Sequence, residues 1–254
     1  MKTIARALAS SLLGLAVSVL VMIDVHAAEL RALAGGSTTG WLNELARRFE
    51  QDTGHKLLIQ FDSTPNLIKA AASGAPIVLA VAPVDLFKDA AARARFLAGP
   101  TVDIARVGYG IIVRRGAAKP DISTPDALKR ALLEAKSIAF LPESAAGAYV
   151  LKVFERLGVA EAMKGKTKPQ TATGQIAQAV AGGDAELGIF LTNVLIAPGV
   201  ELAGPLPAPL QQELVFTAAV ASGSSEADAA RAFINFLTSP AAAVVIQAKG
   251  MTPG

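Results

Sequence analysis

The chain repeats one pattern twice near its start: an apolar strand, a turn rich in hydroxyl side chains, and a helix. The first copy spans residues 30–53, with its turn at residues 35–40. The second joins a strand at residues 57–61 to the turn 63–66 and a helix that starts at Leu67. Strands that alternate with helices form sheets covered by helices. The pattern therefore predicts an α/β fold.

Both hydroxyl-rich turns lead into the first turn of a helix. Backbone N–H groups there lack helical partners, and the helix dipole makes the region positive. In α/β sheets such turns lie at the carboxyl ends of the strands, where ligands bind. Two of them side by side indicate a site for an oxyanion. The alternative is that Ser37 and Thr64 only cap their helices, which is a common role of hydroxyl side chains.

Residues 1–27 have the plan of a secretory signal peptide. Lys2 and Arg6 precede an apolar run over residues 7–23, and small residues allow cleavage after Ala27 or Ala28. The run is also close to the length that spans a bilayer, so a membrane anchor is the alternative. We expect cleavage and a periplasmic mature protein. The chain has no cysteine, so no disulfide stabilises it there.

The charge pattern does not favour nucleic acid as a partner. Cleavage would leave 22 of the 24 basic and 20 of the 21 acidic residues, which is close to balance. The basic residues are scattered and are not interleaved with aromatic side chains that could stack on bases.

The sequence also argues against catalysis and against a metal or cofactor. His55 is the only histidine outside the predicted signal peptide, so a histidine-based metal site or proton relay has no second member. We expect His55 at the surface. The chain carries neither the Gly-x-Ser-x-Gly turn of serine hydrolases nor a phosphate-binding loop. We expect a binding protein without a cofactor, and an envelope enzyme is the less favoured alternative.

The chain resembles the periplasmic molybdate- and tungstate-binding proteins of ABC importers, within the type II solute-binding proteins. The residues that carry the resemblance are 34–39, helix residues 42, 44, 45 and 49, and residues 61–67, 74–76, 146–149, 187–189, 232–240 and 249–250. The resemblance implies two α/β lobes, residues 28–107 plus 213–254 and residues 108–212. Each lobe would hold a mostly parallel sheet flanked by helices, and crossing strands such as residues 106–114 would join them. The implied protein is a monomer that delivers an oxyanion to a membrane permease and its ATPase.

The resemblance also implies which residues hold the oxyanion. The family's two hydroxyl donors fall on Ser37 and Thr64, and its backbone amide donors from the other lobe fall on Ala146 and Thr173. Neighbouring residues that could reach the ligand are Thr38, Asp62 and Ser63.

Two departures from the family affect the ligand. Leu191 stands where a tyrosine commonly donates its hydroxyl, and Asp62 stands where the family has a small residue. Loss of one hydrogen bond to a charged ligand costs about 1.5–3 kcal/mol. A carboxylate within ~6 Å of a dianion adds repulsion. Molybdate or tungstate is the expected ligand, and sulfate, phosphate or a small organic acid is the alternative.

Overall fold

The computed structural model describes residues 27–254. The predicted signal peptide therefore lies outside the described residues, except for Ala27. Within residues 27–254 no single helix is long and apolar enough to cross a membrane, and two consecutive helices near the end reach that length only as a pair bent by 61°.

The described strands form two sheets. They are β1 (Glu29–Gly35), β2 (Lys56–Asp62), β3 (Leu79–Pro83), β4 (Val102–Val107), β5 (Tyr109–Arg114), β6 (Ile138–Phe140), β7 (Thr167–Pro169), β8 (Leu187–Leu191), β9 (Val200–Pro205), β10 (Leu214–Val220) and β11 (Thr252–Pro253). The six-stranded sheet has the order β11-β4-β10-β3-β1-β2, and the five-stranded sheet has the order β7-β6-β8-β5-β9.

Helices pack around both sheets. They are α1 (Thr39–Thr53), α2 (Thr64–Ala72), α3 (Ala90–Arg93), α4 (Pro125–Glu134), α5 (Ala145–Arg156), α6 (Ala160–Lys164), α7 (Thr173–Gly182), α8 (Thr192–Leu195), α9 (Ala227–Leu237) and α10 (Pro240–Ala248). The predicted α/β class with two helix-flanked sheets is confirmed.

The sheets are mixed, whereas the sequence predicted mostly parallel sheets. Strands β1, β2 and β3 pair in parallel, but β10 runs antiparallel to both β3 and β4. In the other sheet β6 pairs in parallel with β7 and β8, whereas β5 runs antiparallel to β8 and β9. The antiparallel strands β4, β5, β9 and β10 are those that carry the chain from one sheet to the other.

The predicted extended stretch at residues 106–114 contains this crossing. Strand β4 ends at Val107 in one sheet, and β5 begins at Tyr109 in the other. The return crossing lies between β9 and β10, and Gln211 ties the two crossings together. Its Oε1 accepts from the Tyr109 amide at 2.8 Å, and its Nε2 donates to the Tyr109 carbonyl at 2.9 Å. Every strand of the six-stranded sheet lies within the predicted first lobe, and every strand of the five-stranded sheet lies within the predicted second lobe. The division of the chain into these two lobes stays a prediction.

Two local predictions were wrong. The sequence after the third apolar strand predicts a helix over residues 84–96, but the structure has a short 3-10 turn, Val84–Lys88, followed by α3. Asp89 separates them because it adopts an extended backbone, and its side chain accepts from the Ala92 amide at 2.9 Å to start α3. His55 is buried instead of lying at the surface. Its Nδ1 accepts from the Ala28 amide at 3.0 Å, and its ring stacks on Phe49.

Candidate functional site

A cavity lies where the carboxyl ends of parallel strands from both sheets meet. Strands β1 and β2 pair with Gly35 opposite Asp62, so the turns that follow them are neighbours. Strands β6 and β7 pair with Phe140 opposite Pro169, which brings two further turns together. The cavity has a volume of about 230 Å³. This is space for roughly seven water molecules.

Residues from both sheets and their turns line this cavity. They are Gly35, Gly36, Ser37, Thr39, Phe61, Asp62, Ser63, Thr64, Pro83, Leu141, Ser144, Ala145, Ala146, Thr171, Ala172, Thr173, Phe190, Leu214 and Phe216. The structure thus brings Ser37, Thr64, Ala146 and Thr173 to one cavity, as the family resemblance requires. Their roles in binding a ligand stay predictions.

The turn after β1 leaves one hydroxyl group available. The hydroxyl of Thr38 donates to the Gly35 carbonyl, and that of Thr39 donates to the Gly36 carbonyl, each at 2.7 Å. The Ser37 hydroxyl has no protein partner in the described part of the chain, although Ser37 is only 9% exposed. Thr38 is fully buried and does not line the cavity, so the structure does not place this predicted neighbour at the site.

The turn after β2 likewise leaves the hydroxyl of Thr64 without a protein partner among the described residues. Ser63 is the N-cap of α2 and makes no side-chain capping bond, and Pro65 has no amide hydrogen to satisfy. Thr64 is 6% exposed, and its hydroxyl bonds to no protein group within residues 27–254. The two predicted hydroxyl donors therefore do not cap their helices, and both remain free to bind a ligand.

In the other half, α5 begins directly against the end of β6. The Ser144 hydroxyl accepts from the Gly147 amide at 2.9 Å and donates to the Leu141 carbonyl at 2.8 Å. A Cβ on Gly147 would lie 1.9 Å from the Leu141 carbonyl oxygen, so only glycine fits this close approach. The amides of Ala145 and Ala146, in the first turn of the helix, have no acceptor among residues 27–254.

At the start of helix α7, as at the start of α5, a side chain accepts hydrogen bonds from backbone amides. The Gln175 side-chain oxygen accepts from the amides of Thr171 and Ala172, at 3.0 and 3.1 Å. These two amides are thereby satisfied within the protein. The next amide, that of Thr173, has no acceptor in the described chain. The cavity therefore receives helix starts from both halves of the molecule.

The rest of the lining is mostly apolar, apart from the Ser63 hydroxyl and one carboxylate. Phe61, Phe190 and Phe216 contribute aromatic surface from three different strands. Asp62 is the only ionisable side chain of the lining, so no basic group is available to balance an anion. Its Oδ1 accepts from the Ser63 amide at 2.7 Å and from the Asn66 side chain at 2.8 Å.

No sequence pattern points to Asn193, which links the two halves beside the cavity. Its Nδ2 donates to the Ser37 carbonyl at 2.8 Å across 156 residues of chain. Its Oδ1 is buried and has no partner among the described residues. Asn193 lies on α8, immediately after β8, so it holds the Ser37 turn against the five-stranded sheet.

Leu191 is the one main-site prediction that the structure does not bring to the cavity. It is fully buried at the end of β8, directly opposite Tyr109, and is absent from the lining. The nearby Phe190 lines the cavity instead.

The titratable groups with shifted pKa values lie outside the cavity. Burial raises the pKa of Tyr109, at the crossing between the sheets, above its ordinary value. A hydrogen bond from the Ser123 amide lowers the pKa of Asp121, and one from the Gly116 amide lowers that of Glu201. The described residues contain no group of three or more histidine, cysteine, aspartate or glutamate side chains suited to a metal ion.

The fold and the cavity define a class of protein that binds a small solute between two sheets. The profile of the family described as bacterial extracellular solute-binding protein matches residues 30–252. The chain belongs to this family, and the resemblance drawn from the sequence is confirmed.

Individual relatives differ in what their names state. An aconitate isomerase from a Pseudomonas species is 32% identical over 235 residues, covering 88% of this chain and 87% of the relative. A molybdate-binding protein, ModA, from Azotobacter vinelandii is 28% identical over 237 residues, covering 91% of this chain and 92% of the relative. The expectation that the chain is not an enzyme stays a prediction, because one of these relatives is named as an isomerase.

A solved structure supports the fold. The periplasmic molybdate-binding protein from Azotobacter vinelandii matches with a TM-score of 0.70 over 88% of this chain and 98% of that chain. The sequence identity is 22%, so this similarity establishes the two-lobed fold and not the ligand.

Proposed function

We propose that the protein captures a small anion in the cavity between its two sheets and delivers it to a membrane permease driven by an ATPase. The observation that carries this proposal is the convergence of free donors on one cavity. Two hydroxyl groups come from the six-stranded half, and backbone amides at the starts of α5 and α7 come from the five-stranded half. We expect a monomer in the periplasm, consistent with the predicted signal peptide.

Neutral donors can hold a buried anion if there are enough of them. Hydrogen bonds to a charged group are shorter and stronger than those between neutral groups, and helix starts add a favourable dipole. These contacts must outweigh the lost hydration of the anion. Donors from both halves offset the lost hydration best when the halves close on the ligand. The hydrogen bond from Asn193 to the Ser37 carbonyl, which joins the two halves, supports such a closed arrangement.

Two ligand classes fit this scheme. A tetrahedral oxyanion is favoured by the residues shared with the molybdate-binding proteins and by the ModA relative. A small organic acid is favoured by the aromatic lining, by the volume of about 230 Å³ and by the relative named as an aconitate isomerase.

Thermal melting with a panel of anions tests the proposal. A ligand that binds only the folded protein raises the melting temperature by mass action. We expect at least one of molybdate, tungstate, sulfate, phosphate, malate and trans-aconitate to raise it by several degrees at millimolar concentration. If none of them raises it, and calorimetry also detects no binding, the anion site is refuted.

Isomerisation of an unsaturated polycarboxylate is the second candidate function, and Asp62 is the observation that favours it. A carboxylate in a cavity of neutral donors can remove a proton from a methylene carbon next to a ligand carboxylate. The double bond then moves by one position, and Asp62 returns the proton to the far end of the allylic system. The free amides would stabilise the charge that develops meanwhile. Proton NMR of trans-aconitate incubated with the protein tests this candidate, because turnover produces the cis isomer.

A further inference from the structure

Asp62 is an unexpected side chain for a cavity that holds an anion. Of the nineteen residues of the lining, Asp62 is the only one with an ionisable side chain. Within residues 27–254 no lysine, arginine or histidine forms an ion pair with it. Asp62 therefore lines the cavity without a salt-bridge partner.

The carboxylate is also fixed in place. One oxygen, Oδ1, accepts from the Ser63 amide and from the Asn66 side chain, so the group is tied to the first turn of α2. The backbone of Asp62 also lies against the other donor turn, since a Cβ on Gly36 would lie 3.6 Å from the Asp62 backbone carbonyl oxygen. Movement of the carboxylate would break its two hydrogen bonds at the start of α2.

A tetrahedral dianion is poorly suited to this arrangement. It presents oxygen in every direction, so whichever way it turns, some of its charge faces Asp62. Like charges within about 6 Å disfavour the doubly charged complex. An organic acid differs because its charge is confined to its carboxylate groups, and it can turn a carbon-bound hydrogen or a hydroxyl toward Asp62.

The apolar lining supports the same distinction. Phe61, Phe190 and Phe216 offer surface that a carbon skeleton can contact and that an inorganic oxyanion cannot use. Across the cavity, Thr173 approaches Gly36, with its Cγ2 3.9 Å from a Cβ placed there. Donors from both halves and aromatic side chains therefore line one cavity, and a carboxylate precedes the Thr64 turn.

We infer that Asp62 is a specificity-determining residue that makes the cavity select a small organic acid with two or three carboxylates and reject tetrahedral dianions. This inference rests on the proposed function, namely anion capture in this cavity. The carboxylates of the ligand meet the free hydroxyls and amides, its carbon skeleton lies against the aromatic side chains, and Asp62 accepts from a hydroxyl or faces a C–H edge.

The test removes the negative charge of Asp62 and keeps the shape of the side chain. In Asp62→Asn, the side-chain oxygen still accepts from the Ser63 amide and the Asn66 side chain, so the turn is kept. The binding constants for molybdate, sulfate, malate and trans-aconitate are measured by calorimetry at pH 7.5 on the mature chain. Molybdate and malate both carry two negative charges there, so the comparison between them isolates the distribution of charge.

We expect the wild type to bind malate or trans-aconitate more tightly than molybdate. In Asp62→Asn, molybdate and sulfate binding strengthens about tenfold or more because a like charge is removed, while organic-acid binding stays equal or weakens. The matched control is Asp89→Asn, which removes the same charge from a helix cap outside the cavity and leaves every binding constant unchanged.

Three results would overturn the inference in distinguishable ways. If wild type prefers molybdate and Asp62→Asn changes all four binding constants by the same factor, Asp62 does not set specificity, and the anion site itself stands. If neither protein binds any of the four anions, the proposed function fails and this inference fails with it. If Asp89→Asn strengthens molybdate binding as much as Asp62→Asn does, the effect comes from net charge. That result would also overturn the inference.

Discussion

Gly147 provides the sharpest test of how the five-stranded half builds its part of the site. In Gly147→Ala the new Cβ would lie 1.9 Å from the Leu141 carbonyl oxygen and 2.7 Å from the Pro142 backbone. These atoms are backbone, so no side chain can turn away. An ordinary contact starts near 3.4 Å, so the start of α5 must move by about 1.5 Å, an overpacking that costs about 1–3 kcal/mol.

The same movement displaces the free amides of the helix start. A hydrogen bond of about 2.9 Å that is stretched by 1 Å or more is lost, and each bond lost to a charged ligand weakens binding about ten- to a hundredfold. We therefore expect Gly147→Ala to melt about 2–12 °C lower. We also expect it to bind the most stabilising anion of the panel at least tenfold more weakly at a temperature well below melting.

Calorimetry and differential scanning fluorimetry measure the two effects separately. Gly165→Ala is the control, since that glycine has an ordinary helical backbone, lies in the same half and has nothing within 4 Å of an added Cβ. It should melt and bind like the wild type. If Gly147→Ala binds the anion as tightly as Gly165→Ala does, the start of α5 does not contribute donors, and the reasoning is refuted.

Three further changes test other parts of the account. Asn193→Ala removes the bond to the Ser37 carbonyl, so we expect a loss of about 0.5–1.5 kcal/mol in stability and weaker anion binding; unchanged melting and affinity would show that the bond does not hold the Ser37 turn. Because Leu191 stands where the family resemblance implies a tyrosine donor, the resemblance predicts that Leu191→Tyr strengthens molybdate binding, but Leu191 is fully buried and does not line the cavity. We expect it to destabilise the fold by about 1–3 kcal/mol without tighter binding, and tighter binding would contradict the observed lining. The raised pKa of Tyr109 predicts that stability is full below the ordinary tyrosine pKa of 10.0 and falls as the pH rises above it, because the unfolded chain releases that proton first. In denaturant titrations, Tyr109→Phe should lose less stability than the wild type between pH 9 and 11. An equal loss in the two proteins would refute the attribution of this pH dependence to Tyr109.

The sequence was sufficient to predict the elements that depend on local patterns. The two strand–turn–helix units near the start are observed as β1 with α1 and β2 with α2, because apolar periodicity and turn residues define them. The turn residues also predict helix starts at Ala145 and Thr173, which is where α5 and α7 begin. These are the segments that place four of the predicted donors at one cavity.

The errors arose where contacts distant in sequence decide the structure. Strand direction in the mixed sheets depends on how the chain crosses and returns, which no local pattern records. Asn193 reaches the site through a contact across 156 residues, and Leu191 is displaced from it by its pairing with Tyr109. Thr38 shows the same limit on a smaller scale. Its hydroxyl looks equivalent to that of Ser37 in the sequence but is used by the Gly35 carbonyl.

In the proposed site, free hydroxyls and amides from both halves hold an anion in this cavity. The most direct measurement is calorimetric titration of Ser37→Ala combined with Thr64→Val, using the anion that most stabilises the wild type. Neither hydroxyl bonds to a protein group in the described chain, so we expect the ligand-free melting temperature to stay within about 2 °C of wild type. The affinity should fall at least about a hundredfold, since two bonds to the charged ligand are lost. An affinity equal to that of the wild type would contradict the account.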